Sequence, residues 1–224
     1  MLILALDTAL AACSVALWRD GRILAHKSED MARGHSERLI PMVAEVMREA
    51  GVGFAAITRI AATVGPGSFT GVRIALAAAR GLALARGISL VGVTTLEVVA
   101  FAALRDAAEK SQVAAVIDAG RPDLFLQVFD CGLAPQNAIA ALPPEQAVLR
   151  IPSGPVLVAG NGMARLRPFL GARTDIVFAS GPGVPDAADV AGLAATREAP
   201  PDSSGVAPVY VHAPYAKRPE DKAK

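Results

Sequence analysis

Nine consecutive residues, Gly65-Pro66-Gly67-Ser68-Phe69-Thr70-Gly71-Val72-Arg73, join an apolar run, Ile60 to Val64, to a long Ala/Leu pattern, Ile74 to Ala85. A strand that ends in glycines and re-enters as a helix leaves backbone N–H groups unpaired at the helix start. Those donors, with the helix dipole behind them, favour an anion or a tightly docked partner. Simple packing of the helix on its sheet is the plainer alternative, because many strand-to-helix turns look alike.

The surrounding pattern predicts a mixed sheet. Leu2–Leu6 is a continuous apolar run, as in a strand buried on both faces. Ser14–Trp18 follows, and Asp20-Gly21 predicts a tight hairpin into Ile23–His26. Next comes a helix with Ser36 as N-cap and Glu37 in its first turn. Leu39, Met42, Val43, Val46, Met47 and Ala50 recur at three- and four-residue spacings and give it one apolar face. Gly51 ends it, and Pro41 predicts a bend or a later start. Strands at 60–64 and 88–93 flank a helix over 71–86 closed by Gly87. The order βββαβα extends a three-strand meander by parallel crossovers. Ribonuclease H-like lobes share that order, as do the actin/Hsp70/sugar-kinase ATPases built from two of them. A helix from Thr95 to Lys110 leads into a second lobe. There the pattern predicts a hairpin of Val113–Ile117 and Phe125–Phe129, strands at 156–159 and 175–178, and a helix over 186–196 with Asp186 or Asp189 near its start. The expected class is α/β, an actin-like ATPase (ribonuclease H-like) fold of two lobes, each with a mixed sheet and helices, the second reduced and only loosely similar to the first. The divisions are residues 1–103, 104–215 and a charged tail, 216–224, expected to be mobile.

The chain has 224 residues, enough for two small lobes, and 53% hydrophobic with 19% charged residues excludes a disordered chain. Net charge is +1 with the basic residues scattered, so the footprint of a protein that grips nucleic acid alone is missing. Cys13 and Cys131 stand far apart, which predicts no disulfide and a reducing, cytoplasmic setting. The start meets Asp7 after five apolar residues and carries no basic leader, so no signal peptide is expected. Arg73, Arg80 and Arg86 interrupt the Ala/Leu segment below the roughly 18 uncharged residues of a membrane span, and no membrane partner is expected.

Together these pieces resemble the TsaB family, also called YeaZ, a bacterial branch of the actin-like ATPase fold. The resemblance rests on Ile3-Leu-Ala-Leu-Asp-Thr8 with Ser14-Val-Ala-Leu17, His35-Ser36-Glu-Arg-Leu39 with Pro41, and Gly65-Pro-Gly-Ser-Phe-Thr-Gly-Val-Arg-Ile74. Arg80-Gly-Leu82 and Ile117-Asp-Ala119 continue it, and it thins beyond residue 130. It implies a role in making threonylcarbamoyladenosine, the modified base beside the anticodon of some tRNAs. It further implies that the chain is a non-catalytic partner of a TsaD-type transferase, acting with a TsaE-type P-loop ATPase and meeting tRNA only through the complex. TsaD-type proteins carry two metal-binding histidines four residues apart after the strand that follows the Gly-Pro-Gly turn and its helix. Here Thr95 and Val99 stand at those places, and His26, His35 and His212 are the only histidines, none paired at ligand spacing. No catalytic or metal site is expected, and a metallopeptidase reading lacks ligands. In actin-like ATPases a carboxylate and a phosphate-facing hairpin end the first strand, which makes Asp7 and Thr8, with Gly65, Gly67, Ser68 and Thr70, the nucleotide- or anion-binding candidates. The alternative for Asp7 is a structural turn cap. No cofactor is required by the chain itself, with ATP or ADP at the partner boundary as the cofactor expectation. The rival function is a nucleotide-dependent phosphotransferase or ATPase, which needs complete phosphate and adenosine loops in both lobes. Asp118-Ala119-Gly120 and Gly160-Asn161-Gly162 are poor copies of those loops.

The expected partner surface is a pair of helices: His35, Ser36, Leu39, Met42, Val43 and Val46 on the first, Arg73, Ile74, Ala77 and Arg80 on the second. The first helix is expected to carry more apolar surface than one lobe covers. The second has two small-residue stripes, Gly71/Ala75/Ala79 and Ala77/Gly81/Ala85, one for the home sheet and one for another subunit's helices. Arg73 and Arg80 are placed to meet acidic groups across the contact, with ordinary solvated charge as the alternative. The same surface predicts a homodimer when the partner is absent, and Leu39→Arg or Ala77→Arg is expected to break both complexes without unfolding the monomer.

Overall fold

The computed structural model describes residues 1–107, 111–171, 173–181, 183–198 and 205–211; His212 and the 216–224 tail lie outside them. The first sheet holds β1 (Leu2–Asp7), β2 (Ala12–Arg19) and β3 (Arg22–Asp30) as an antiparallel meander. Helix α1 (His35–Glu49) leads to β4 (Arg59–Thr63), and α2 (Phe69–Arg86) leads to β5 (Ser89–Val93). β4 runs parallel to β1 and β5 parallel to β4, so the order is β3-β2-β1-β4-β5. Every residue of β1 is buried because both faces of the sheet are covered. Leu2, Leu4 and Leu6 point to α1 and α2, while Ile3 and Ala5 point to the opposite layer.

Helix α3 (Thr95–Asp106) opens with a capping box, Thr94 Oγ1 accepting from the Glu97 amide while Glu97 accepts from the Thr94 amide. It ends four residues before the expected Lys110, with Ala107 already extended. The second sheet contains β6 (Gln112–Ile117), β7 (Leu124–Phe129), β8 (Ala140–Leu142), β9 (Val156–Ala159) and β10 (Ile176–Phe178), with the short helices α4 (Pro144–Ala147) and α5 (Met163–Leu166) between. Its order from the meander edge is β8-β7-β6-β9-β10, with β7 and β8 antiparallel and β9 and β10 parallel. That is the plan of the first sheet, so the loose similarity expected of the two halves is corrected: lengths differ, topology does not. Two mixed sheets of one strand order, each flanked by helices, make the two-lobed actin-like ATPase fold.

Helix α6 (Ala187–Ala195) follows the second sheet in sequence but lies on the first, packing Ala187, Val190, Ala191 and Ala194 against Ile3, Ala5, Ala16 and Ala61. Both its ends are latched. Asp186 caps it by accepting from the Ala188 amide at 2.8 Å, and Ser14 Oγ accepts from the Ala187 amide at 2.9 Å. At the far end Arg59 donates to the carbonyls of Ala194 and Arg197 at 2.6 and 3.0 Å.

Two expectations for α1 are corrected. Gly34, at φ 89°, is the N-cap, while Ser36 lies inside the helix and donates to Glu37 Oε2 at 2.9 Å. Pro41 does not delay the start: the helix runs through it, because burial of Leu39, Met42, Val43 and Val46 on the sheet outweighs one missing backbone bond.

Candidate functional site

The Gly65–Gly71 turn lies flush on the end of β1. Ser68 N donates to Ala9 O at 2.8 Å, and Thr95 N donates to Gly65 O at 2.8 Å. A Cβ at Gly67 would stand 2.5 Å from Ala9 O, and one at Gly71 would stand 2.1 Å from Thr8 O. Thr8 Oγ1 donates to Gly71 O at 2.6 Å and accepts from Ala75 N at 3.1 Å. Those two groups belong to one turn of α2, so the threonine hydroxyl bridges the helix to β1. Ser68 caps α2 by accepting from the Gly71 amide at 3.3 Å.

Asp7 is fully buried beside this joint. Its Oδ1 accepts from Thr63 Oγ1 at 2.5 Å and from the Ala9 amide at 3.2 Å, while Oδ2 has no partner among the described residues. Burial drives the carboxyl up to about 7, against the pull of the Thr63 and Ala9 hydrogen bonds and with a small push from the charge of Asp186. The residues expected to receive an anion therefore divide. Asp7, Thr8 and Gly65 are buried and Gly67 is pressed against backbone, whereas Ser68 and Thr70 are exposed at the start of α2. A phosphate or a hydrated cation does not fit between the turn and the end of β1, where not even a methyl group has room. The turn is a packed joint.

An open cavity of about 610 Å³ lies elsewhere, between α3, the ends of β9 and β10, and the start of α6. Val99, Ala103, Leu157 and Val177 line it with Arg105, Asp106, Asp186 and Asp189, and none of the expected anion-binding residues does. Arg105 is paired with both Asp189 and Asp106. Asp186 contacts His26 Nε2 at 2.8 Å, which raises the histidine above its ordinary pKa. Among the described residues that line it, three carboxylates stand to one guanidinium. In the second lobe Asp118 accepts from Gly120 N at 2.8 Å, and Asn161 ties the hairpin to β9 by accepting from Asp118 N at 2.9 Å and donating to Asp118 O at 2.8 Å. Both poor loop copies are thus engaged with each other.

The helix pair expected to meet a partner is only partly on the surface. Leu39, Met42, Val43 and Val46 sit in the first lobe's own core with Leu4, Leu6 and Leu17. The expectation of a surplus apolar face on α1 is corrected, because periodicity shows that a face is apolar and not which neighbour covers it. His35 Nε2 donates to Leu10 O at 3.1 Å, tying the start of α1 to the β1–β2 turn. The exposed apolar residues near this end include Ile40, 51% exposed, and Pro41. On α2 the two stripes separate as expected: Gly71, Ala75 and Ala79 are buried on the sheet, and Ala77, Gly81 and Ala85 face out. Ile74 is half-buried, and Leu84 is 80% exposed.

Arg73 and Arg80 are exposed but held within the chain. Residues 205–211 lie along α2; Val209 N donates to Val64 O at 2.7 Å, Arg80 donates to Val206 O, and Arg73 Nε donates to Tyr210 Oη at 3.1 Å. The Arg73 guanidinium stacks 3.5 Å from the centre of the Phe69 ring and 5.6 Å from that of Tyr210. Phe69, Leu84, Ile40 and Tyr210 escaped the sequence reading. The first two were signalled by the spacing Phe69, Arg73, Ala77, Arg80, Leu84, which marks one helical stripe, and Tyr210 by nothing periodic.

Residues 23–141 match the family described as TsaD, tRNA N6-adenosine threonylcarbamoyltransferase, a span that holds both α1 and α2. Over 125 residues, 56% of this chain, the sequence is 44% identical to the tRNA threonylcarbamoyladenosine biosynthesis protein TsaB of Escherichia coli (strain K12), of which 53% is covered. The chain spans about half the length of the curated relatives it matches. The solved structure of YeaZ from Pseudomonas aeruginosa is 35% identical, with a TM-score of 0.81 over 93% of this chain and 99% of that one. A 69-residue stretch is 48% identical to the tRNA N6-adenosine threonylcarbamoyltransferase of Erythrobacter litoralis (strain HTCC2594), covering 31% of this chain and 20% of that one.

Proposed function

The chain belongs to the TsaB (YeaZ) family, and from that premise we propose that it serves the formation of threonylcarbamoyladenosine in tRNA as a docking subunit for a TsaD-type transferase. The observation that carries the reading is the outward stripe of α2. Ala77, Gly81 and Ala85 leave the helix backbone open to close approach, with Ile74 and Leu84 beside them and Ile40 and Pro41 of α1 nearby in the same layer. The span matching the transferase family contains both helices. A partner built on the same lobe offers an equivalent pair, and two such pairs face each other about a pseudo-twofold axis as a four-helix contact. A second copy of this chain competes for that surface when the transferase is absent. Bond-making on tRNA belongs to the transferase, with a TsaE-type ATPase and ATP or ADP joining at the assembled boundary, in the cytoplasm.

The test is co-purification with a TsaD-type protein, followed by reconstitution of tRNA modification with and without this chain. Ala77→Arg is expected to abolish the complex and the chain's contribution to modification while its thermal transition is unchanged. Modification by this chain alone, or an intact complex with Ala77→Arg, refutes the reading. The phosphotransferase alternative is checked by Mg-ATP calorimetry and phosphate release on the isolated chain, where micromolar binding with turnover would favour it.

A further inference from the structure

We propose that the 205–211 segment is a strap that completes the docking surface, with Tyr210 positioning Arg73 to meet an acidic side chain of the transferase-type partner. This rests on the docking role proposed above and names a determinant of that same surface. The strap is anchored along its length. Val206 and Val209 pack on the core shared by α1 and α2, and a Cβ at Gly92 would stand 2.8 Å from Val206 Cγ1. Val209 N donates to Val64 O, and Arg80 donates to Val206 O. Arg80 is therefore spent inside the monomer as a clip for the strap, which separates it from Arg73 although both were expected to face a partner.

Arg73 is presented differently. Its guanidinium lies on the exposed ring of Phe69 and against the exposed ring of Tyr210, with the ring centres 6.0 Å apart. Nε is occupied by the tyrosine hydroxyl. A planar guanidinium held by a ring on its face and a hydrogen bond at Nε leaves its two terminal amino groups as the free pair of donors, the fork that takes a carboxylate end-on. Phe69 and Tyr210 are 51% and 55% exposed, so this stack is surface, and it continues the Ala77–Gly81–Leu84 stripe toward the start of α2. Preorganisation matters because a free arginine loses side-chain entropy on pairing, while a stacked one has lost part of it already. The arrangement is that of an interface anchor, since aromatic residues and arginine dominate binding energy at contacts of this kind.

The experiment uses the full chain and a co-expressed TsaD-type protein, with affinity measured by calorimetry at about 50 mM and about 500 mM salt, where exposed charge pairs are screened to different extents. Wild type is expected to bind and to weaken with salt. Tyr210→Ala and Arg73→Ala are each expected to weaken binding about tenfold at low salt, an amount on the scale of one stacked, hydrogen-bonded arginine. Both are expected to flatten the salt dependence, and the double variant is expected to be no weaker than either. Tyr210→Phe, which keeps the ring, is expected to lose about threefold or less. Thermal transitions within a few degrees of wild type for Tyr210→Phe and Arg73→Ala keep folding out of the comparison. Wild type that binds while Tyr210→Ala binds equally, or with an unchanged salt slope, overturns the strap inference alone. A folded wild type with no affinity for the transferase overturns the docking role and this inference with it.

Discussion

Replacing Asp7 with asparagine tests the joint at the end of β1. The carboxyl is fully buried, its Oδ2 is unpartnered, and its pKa stands at about 7 against an ordinary 3.8. A raised carboxyl stabilises the fold only while it is protonated. The contribution is full below the unfolded value of 3.8 and is lost as pH rises through about 7. With those two values, linkage makes the folded state roughly 2–3 kcal/mol less stable at pH 8 than at pH 5 on account of this one group. Asparagine keeps the shape and can still accept from Thr63 and Ala9, but it carries no charge and puts an amide where Oδ2 was. The unsatisfied amide costs about 1–3 kcal/mol at every pH. The Asp7→Asn variant is therefore expected to be less stable than wild type at pH 5 and to gain on it by roughly 2–3 kcal/mol between pH 5 and pH 8, which in a chain of this size moves the relative melting temperature by roughly 5–10 °C. His26 is also raised above its ordinary value by its hydrogen bond to Asp186. Its raised pKa gives stability that is present below about 6.5 and lost as pH rises, but wild type and variant share it and it cancels in the difference. Urea and thermal unfolding at the two pH values measure the effect. A variant whose deficit grows toward pH 8 would falsify the argument, because it would mean that the ionised carboxylate is held by a cation or donor at Oδ2.

The other expectations concern packing. Gly71→Ala and Gly67→Ala each drive a Cβ into backbone of the β1–β2 turn and are expected to cost about 3 kcal/mol, read as lost melting temperature and soluble yield. Gly81→Ala is expected to do the opposite, since a Cβ there meets nothing within 4 Å: the monomer gains about 1 kcal/mol while the contact with the partner weakens, measured by melting and by complex yield. Leu39→Arg buries a charge in the core and is expected to unfold the first lobe, whereas Leu84→Arg leaves the melting temperature within about 2 °C and removes the complex. Arg59→Met removes the latch on the carbonyls at the end of α6 and is expected to cost about 1–3 kcal/mol by urea unfolding.

Where a single element carries its own period, sequence and structure agree. β1 is apolar at every position through Leu6 because both faces are covered, and α2 shows two small stripes because one meets the sheet and the other does not. What escapes is anything decided between elements. β8 and β10 have three residues each and β9 four, too short for alternation to show, so the shared strand order of the two sheets emerges only from pairing. Helix α6 is apolar on nearly all sides, and nothing in its composition says that it leaves the second lobe for the first. At α1 the local signal favoured Ser36, but Gly34 accepts the positive φ that the chain needs on arriving from β3. The candidate site divides the same way. The stripe through Ala77 was legible, while the strap that claims Arg80 and orients Arg73 is an aperiodic segment more than a hundred residues away.

The two glycines of α2 separate the structural requirement from the functional one. Gly71 is forced: the turn lies so close to Thr8 that no side chain fits, and the fold itself accounts for the residue. Gly81 has no such reason, since it is exposed, interior to the helix, and open around its missing Cβ. Helix propensity penalises it by about 1 kcal/mol relative to alanine, and no described residue lies within 4 Å of its missing Cβ to offset that loss. A large exposed leucine, Leu84, stands three residues on. A small residue beside a large one on one outward helical stripe is the relief that a crossing helix needs, the backbones approaching at the glycine and the leucine filling the space beside it. The first glycine lets the Gly-Pro-Gly turn lie flush on the end of β1, and the second leaves the backbone on the far side of the same helix uncovered.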